Sequence, residues 1–268
     1  MVPLHTQVRS IFIVNLDYYG GSYVSLSKEE KERYVKQMRI NGWGLDGQMR
    51  VKRSSVAVVG IGGLGCLSSL YLAAAGVGRL VLIDRERFEL SNLNRQVLCQ
   101  HRDIGRPKVE VAKERIESFN PNVEVDAVFL DLNEDNIGCL LKGVNLILDG
   151  LDNWATRFLV NKYCVKRRIP FVHAGVSGMQ GQVTTIIPGE GPCLRCIFPV
   201  SPREKGEVPV VGATPALLAS IQVLEAVKIL TGVGDILKGK ILFIDGEDMS
   251  VQEVIVERDD RCPVCGRL

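Results

Sequence analysis

Hydrophobic and polar positions divide the chain into elements almost at once. Residues 1–26 carry no clear period, only a short apolar patch at 11–14, and read as an extension. A helix begins in "SKEEKERYVKQMRI", where Ser27 followed by Glu30 three residues on is a capping-box pattern. Residues 51–60 read as a first buried strand, 64–75 as a helix and 79–84 as a second strand. "GRPKVEVAKERIESFNP" predicts a helix with Pro107 in its first turn, a favoured place for proline. "VEVDAVF" alternates as a strand should, and "VNLILDG" (144–150) is a continuous apolar run, as in a parallel strand buried on both faces. A helix, "NWATRFLVNKYCVKRR", and a strand, "IPFVHAG", follow. Strand and helix thus alternate through residue 175, the pattern of an α/β protein with a doubly wound, mainly parallel sheet.

The pattern then changes. "GQVTTIIPG" predicts an antiparallel strand, "TPALLASIQVLEAVKILTG" a long apolar helix, and "KILFIDGEDMSVQEVIVER" a hairpin-like pair of strands. There is no internal repeat and no low-complexity tract. The expected organisation is an extension (1–26) and one domain (27–268), with a core at 51–175 and a smaller lobe at 176–268.

Composition narrows the classes. The chain has 268 residues, 46% hydrophobic and 24% charged, ordinary values for a soluble globular protein. A net charge of +2 implies neither a nucleic-acid nor a membrane partner. No uninterrupted apolar run reaches the ~18 residues that span a bilayer. The N-terminus lacks the long apolar region and cleavage site of a secretory signal, so a cytoplasmic location is expected.

The first strand–helix junction carries the chemistry. Gly60, Gly62 and Gly65 stand in G-x-G-x-x-G spacing, with Gly63 as an extra. In such a turn the first glycine permits the bend, the second lets backbone approach phosphate, and the third lets the helix pack on the strand. The helix N-terminus offers free N–H groups and partial positive charge. Asp84 ends the next strand, where an acid accepts hydrogen bonds from a ribose. A Rossmann-like nucleotide site follows, with NAD as one candidate ligand.

The sequence continues differently from a dinucleotide site. "LSNLNRQ" (90–96), "GRPKVE" with Lys108, and "DGLDN" with Asp152 and Asn153 all follow. Ligands of parallel sheets bind at the C-terminal strand ends. Arg95 and Lys108 can converge there on negative charge, and Asp152 can hold a divalent cation. Two phosphates on a glycine turn need none of these, whereas a triphosphate needs them all. Taken singly, Arg95 and Lys108 read equally well as solvated helix positions.

Two CxxC pairs, Cys193 with Cys196 and Cys262 with Cys265, form the second strong pattern. Each lets two sulfurs face one metal, and two such knuckles make a closed tetrahedral site of structural type. They lie too far apart for a local zinc ribbon, so the site would staple the C-terminus to the lobe. Disulfides and redox pairs are the alternatives, the first disfavoured in a reducing compartment. Cys66, Cys99, Cys139 and Cys164 are expected to be packed, and His5, His101 and His173 to be structural or surface residues.

"GIGGLGC", "LSNLNRQ", "GRPKVE" and "LDN", with the two distant CxxC pairs, resemble the MoeB/ThiF adenylyltransferase family, itself similar to the adenylation domain of ubiquitin-activating enzymes. The likeness runs from about residue 28 to the end. It implies an enzyme that adenylates the C-terminal glycine of a small ubiquitin-like sulfur carrier ending in Gly-Gly, using ATP and Mg²⁺, releasing pyrophosphate and carrying Zn²⁺. By the resemblance, Gly63, Asp84, Ser91, Asn92, Leu93, Asn94, Arg95, Lys108, Asp152 and Asn153 would bind ATP, with Asp152 on Mg²⁺ and with Arg95, Lys108 and Asp152 carrying the chemistry. A homodimer is implied, and a sulfur donor protein is a possible partner. The alternatives are an NAD(P)-dependent oxidoreductase and a non-catalytic ATP-binding scaffold.

Two departures stand out. The family commonly has "RYxRQ" in its first helix, and that arginine enters the partner subunit's ATP site. Here the segment is "RYVKQ", so Lys36 takes the place, and Arg39 one turn on could substitute. Several members also carry a cysteine in the loop after the first CxxC pair. Here that loop reads "FPVSPREKGEVPVVGATPA", with no cysteine between Cys196 and Cys262. The reaction is therefore expected to stop at the acyl-adenylate.

Overall fold

The structure, a computed structural model, describes residues 25–203, 206 and 208–266. The extension expected at the N-terminus lies outside the described residues except for its last two. One eight-stranded sheet runs through the molecule in the order β3-β2-β1-β4-β5-β6-β7-β8. The strands are β1 (Ser55–Val59), β2 (Arg79–Asp84), β3 (Glu124–Phe129), β4 (Leu146–Asp149), β5 (Phe171–Ser177), β6 (Gln180–Ile186), β7 (Lys240–Asp245) and β8 (Ser250–Ile255). β1 to β5 are parallel, and β6, β7 and β8 continue the sheet antiparallel.

The apolar strands bury both faces. Val56 and Val58 of β1 point into one core, with residues of α3 (Gly44–Arg53), α4 (Gly63–Ala75), α5 (Lys108–Phe119) and α9 (Ala213–Thr231). Ala57 and Val59 point into the other, with α6 (Ile137–Leu140), α7 (Trp154–Arg167), α8 (Leu194–Ile197) and the cysteine pairs. The period-two alternation of side chains thus serves two helix layers.

Three of the differences from the sequence reading have a local cause. The first strand begins at Ser55, because residues 51–53 form the last turn of α3, from which Val51 packs into the core. A short apolar stretch does not by itself separate helix from strand. The first helix is two pieces, α1 (Lys28–Arg33) and α2 (Val35–Met38), broken at Tyr34. The Tyr34 ring fills the space beside Gly76, where a Cβ would come within 2.5 Å of it, and Asn120 Nδ2 donates to its hydroxyl at 2.8 Å. Pro107 is the N-cap of α5, outside the first turn, with ψ 132°.

By length and composition alone α9 could cross a bilayer. In this fold it packs on α4, β5 and β6. Its polar side chains are satisfied there: Gln222 donates to the carbonyls of Asp149 and Val172, and Glu225 accepts from the Leu237 N–H.

The capping box is in place: Ser27 Oγ accepts from the Glu30 N–H at 3.1 Å, and Glu30 Oε2 from the Ser27 N–H at 2.9 Å. Ser27→Ala is expected to cost about 1 kcal/mol of folding stability. Urea denaturation at neutral pH measures it, and an unchanged midpoint would mean that the first turn does not contribute to global stability.

Candidate functional site

β2 and β3 lie to one side of β1, and β4 to the other, so the strand order reverses between β1 and β4. Ligands of open α/β sheets bind at such a crevice. The two backbones almost touch there. A Cβ on Gly60, whose φ is +89°, would lie 2.5 Å from the Gly150 carbonyl oxygen, and one on Gly150 would lie 2.1 Å from the Gly60 oxygen. A Cβ on Gly65 would lie 1.8 Å from that same oxygen. These three positions tolerate only glycine. Gly62 is the N-cap of α4 and supplies no side chain, so the first amides of the helix remain open to a ligand.

Charged residues gather around this turn. Asp84, at the end of β2, accepts from the Ile61 N–H at 2.6 Å and the Glu86 N–H at 2.7 Å. Burial pushes its carboxyl above the ordinary value, against the pull of those amides and of Lys108. Lys108 begins α5 with a side chain only 3% exposed, and its Nζ donates to Glu86 at 2.6 Å. Arg95 is half-buried, its Cγ 3.3 Å from where a Gly63 Cβ would stand. Its Nη1 donates to the Ser91 carbonyl at 3.0 Å and to Asn94 Oδ1 at 2.8 Å. Asn92 is buried, accepting from the Glu89 N–H, and Leu93 packs against the core. Asn94 donates to the Val210 carbonyl at 3.3 Å.

Beyond β4, Asp152 is exposed, and Asn153 caps α7 by accepting from the Thr156 N–H at 2.9 Å. The fold thus brings the glycine turn, Asp84, the 91–95 segment, Lys108, Asp152 and Asn153 to one edge. Lys36 and Arg39 are not among them. They are exposed on and just after α2, whose Gln37 donates to the Ala75 carbonyl at the far end of α4. A helix of 13 residues puts roughly 20 Å between the two ends.

Sequence reading missed Gly150 and the polar cluster beneath it. Asp149 is 0% exposed, Arg157 6% and His173 1%. Arg157 Nε donates to Asp149 Oδ2 at 3.0 Å, and its Nη2 donates to the carbonyls of Leu151 and Ala174. His173 Nδ1 lies 2.6 Å from the same carboxylate oxygen. Burial holds His173 below the ordinary imidazole value, outweighing the upward pull of Asp149. The neutral ring then donates from Nδ1 to Asp149 and accepts at Nε2 from the Gln182 amide, 3.2 Å away. The available signals were an acid closing an apolar strand and an arginine inside the apolar stripe of α7.

The four paired cysteines converge from the α8 knuckle and the C-terminus, their sulfurs all within 4.8 Å of one another. The sulfur separations are 4.0 Å (Cys193–Cys196), 3.7 Å (Cys193–Cys262) and 3.3 Å (Cys196–Cys265). A tetrahedron of thiolates at the usual ~2.3 Å from zinc has edges of roughly 3.8 Å. A disulfide would need ~2.05 Å. The cluster therefore has the donor set and spacing for a metal, and none of the four is in a disulfide.

Of the other four cysteines, Cys66, Cys99 and Cys164 are buried, and burial pushes the Cys66 thiol up to about 12. Cys139 corrects the expectation of four packed thiols: it is exposed on α6, a single turn with one face open to solvent.

The sequence profile of the ThiF family matches residues 34–264. Protein HesA, vegetative, of Trichormus variabilis is 41% identical over 244 residues, covering 91% of this chain and 92% of the relative. The sulfur carrier protein adenylyltransferase of Thermus thermophilus is 42% identical over 251 residues, covering 90% and 92%. The SAMP-activating enzyme E1 of Haloferax volcanii is 40% identical over 249 residues, covering 91% and 92%. Among solved structures, E. coli MccB with ATP superposes with a TM-score of 0.77 at 23% identity, over 90% of this chain and 75% of that one, a likeness of fold. PaaA gives 0.76 at 28% identity, over 89% and 78%.

The buried imidazole makes stability depend on pH. The unfolded chain takes up a proton below about 6.5, the ordinary value, whereas the folded chain refuses it until a lower pH. The stability from the neutral ring is complete above that value and falls as pH drops below it, by at most ~1.4 kcal/mol per pH unit. Urea midpoints between pH 7.5 and 5.5 measure the slope, which should flatten in His173→Gln. An equal slope in the variant would assign the effect to another group.

Proposed function

The chain belongs to the ThiF family, and on that premise we propose that it adenylates the C-terminal glycine of a small ubiquitin-like carrier protein with ATP, releasing pyrophosphate. The observation that carries the reading is the convergence of the glycine turn, Asp84, Arg95, Lys108 and Asp152 at one strand-order reversal.

The carrier's terminal carboxylate is already ionised near neutral pH, so no general base is needed. The obstacle is repulsion between that anion and the polyanionic nucleotide, and catalysis then consists of neutralisation and alignment. In this reading the Asp84 carboxylate accepts from the ribose, and the first amides of α4 hold phosphate oxygens. Arg95 and Lys108 offset the phosphate charge, Lys108 leaving Glu86 to do so. The carboxylate oxygen bonds to the α-phosphorus as the bond to the leaving pyrophosphate breaks, which yields the acyl-adenylate. Asp152 would hold Mg²⁺, which would supply charge neutralisation for the phosphates. Lys36 or Arg39 would complete the site of a second subunit in a homodimer. The cysteine cluster would hold Zn²⁺ in a closed, structural role. No thiol lies between Cys196 and Cys262 to form a thioester, so sulfur or an amine would come from another protein.

Asp152→Ala is expected to abolish carrier-stimulated exchange of labelled pyrophosphate into ATP while its thermal melting stays close to the parent's. Unchanged exchange would remove Asp152 from the chemistry, and the absence of exchange with any Gly-Gly carrier in the unmodified chain would favour a redox enzyme or a scaffold.

Elemental analysis of the purified protein should find one zinc per chain. Cys262→Ser should lower that content and destabilise the fold by several kcal/mol, since metal bound only by the folded chain adds to folding free energy. Native protein with no zinc and two disulfides would refute the assignment.

A further inference from the structure

Asp152 sits on a short link between β4 and α7, and this link is held by side chains that do not reach the surface. The Gly150 N–H donates to the Val59 carbonyl of β1 at 2.8 Å. Leu151 is gripped at both backbone groups: its N–H donates to Asp149 Oδ1 at 2.9 Å, and its carbonyl accepts from Arg157 Nη2. Asn153 is fixed by its role as the cap of α7. Asp152 therefore stands between two held neighbours; it is exposed, and its Oδ1 accepts from Asn153 Nδ2 at 3.4 Å.

Arg157 joins three elements here. It donates to Asp149 at the end of β4, to Leu151 in the link and to the Ala174 carbonyl in β5, at 3.0 Å for the first and 3.2 Å for the last. Its guanidinium carbon also lies 5.0 Å from the centre of the Trp154 ring. A buried ion pair is a poor source of stability, since an apolar pair of the same volume generally does as well. What an apolar pair cannot supply is a planar set of donors that reaches a carboxylate and two carbonyls at once, and a lysine cannot supply it either.

We propose that Arg157, held by Asp149, is a positioning residue: it fixes the Leu151 carbonyl and so sets where the adjacent Asp152 carboxylate meets a nucleotide-bound divalent cation. The proposal rests on the reading of Asp152 as a ligand of that cation. Groups that orient a metal ligand from behind typically change metal affinity by 10–100-fold when altered.

The test is Mn²⁺ binding to the full chain in saturating ATP, followed by electron paramagnetic resonance, which needs no identified carrier. Asp152→Asn, Arg157→Lys and the double variant are compared with the parent, and thermal melting confirms folding. Each single variant should raise the half-saturating Mn²⁺ concentration by 10–100-fold, and the double variant should be no worse than the poorer single one, because both act through one contact. If Asp152→Asn raises it and Arg157→Lys does not, positioning by Arg157 is wrong while the assignment of Asp152 stands. Additive effects in the double variant overturn the proposal in the same way. If Asp152→Asn itself changes nothing, the reading of Asp152 fails and the proposal fails with it. Should Arg157→Lys not fold, the charge-balanced pair Arg157→Gln with Asp149→Asn takes its place under the same criteria.

Discussion

The site depends on a contact between two backbones that have no side chains to keep them apart. Gly60 and Gly150 bring the ends of β1 and β4 so close that a Cβ on either would overlap the other's carbonyl group. Gly65 presses α4 onto the same carbonyl. This triple approach aims the first turn of α4 across the crevice and places the link bearing Asp152 opposite it. Any side chain at these positions would push strand from strand or helix from strand, with a rearrangement of the whole edge.

Under that contact lies a buried polar layer that an apolar core would not need. Asp149, Arg157, His173, Gln182 and Gln222 exchange hydrogen bonds with one another and with carbonyls of β4 and β5. Asp149 and Arg157 neutralise each other, and burial keeps His173 uncharged, so the layer carries no net charge into the low-dielectric interior. On the face away from α7, where α4 and α9 pack together, Ser68 of α4 donates to Gln222 at 3.1 Å. Helices on both sides of the sheet are thereby referred to one set of donors and acceptors, whose geometry is more exacting than apolar packing.

The cysteine cluster ties the C-terminus to the face that α7 also occupies. Asn161 of α7 accepts from the Leu194 N–H at the start of the α8 knuckle at 2.9 Å, and the Phe198 ring after it lies 4.8 Å from Trp154. α7 begins next to Asp152, so one helix joins the edge that carries the glycine turn to the cysteine cluster.

The sequence by itself determined the class of fold and the local motifs from which the candidate site is read. Strand periods, glycine spacing and the CxxC pairs are local signals, because hydrogen bonding, φ and ligand geometry within a few residues produce them. The turn at Gly60–Gly65, Asp84 at a strand end and the pairing of the four cysteines were legible for that reason. Only the tertiary structure decided which residues at separated strand ends share an edge, and that Lys36 and Arg39 lie at the other end of α4. It also decided that Gly150 answers Gly60, and that Asp149, Arg157 and His173 form one cluster. Their apolar neighbours hide these polar residues in the sequence, and their partners lie on other strands and helices. A buried charge has meaning only beside the group that neutralises it, and the folding of the sheet alone brings the two together.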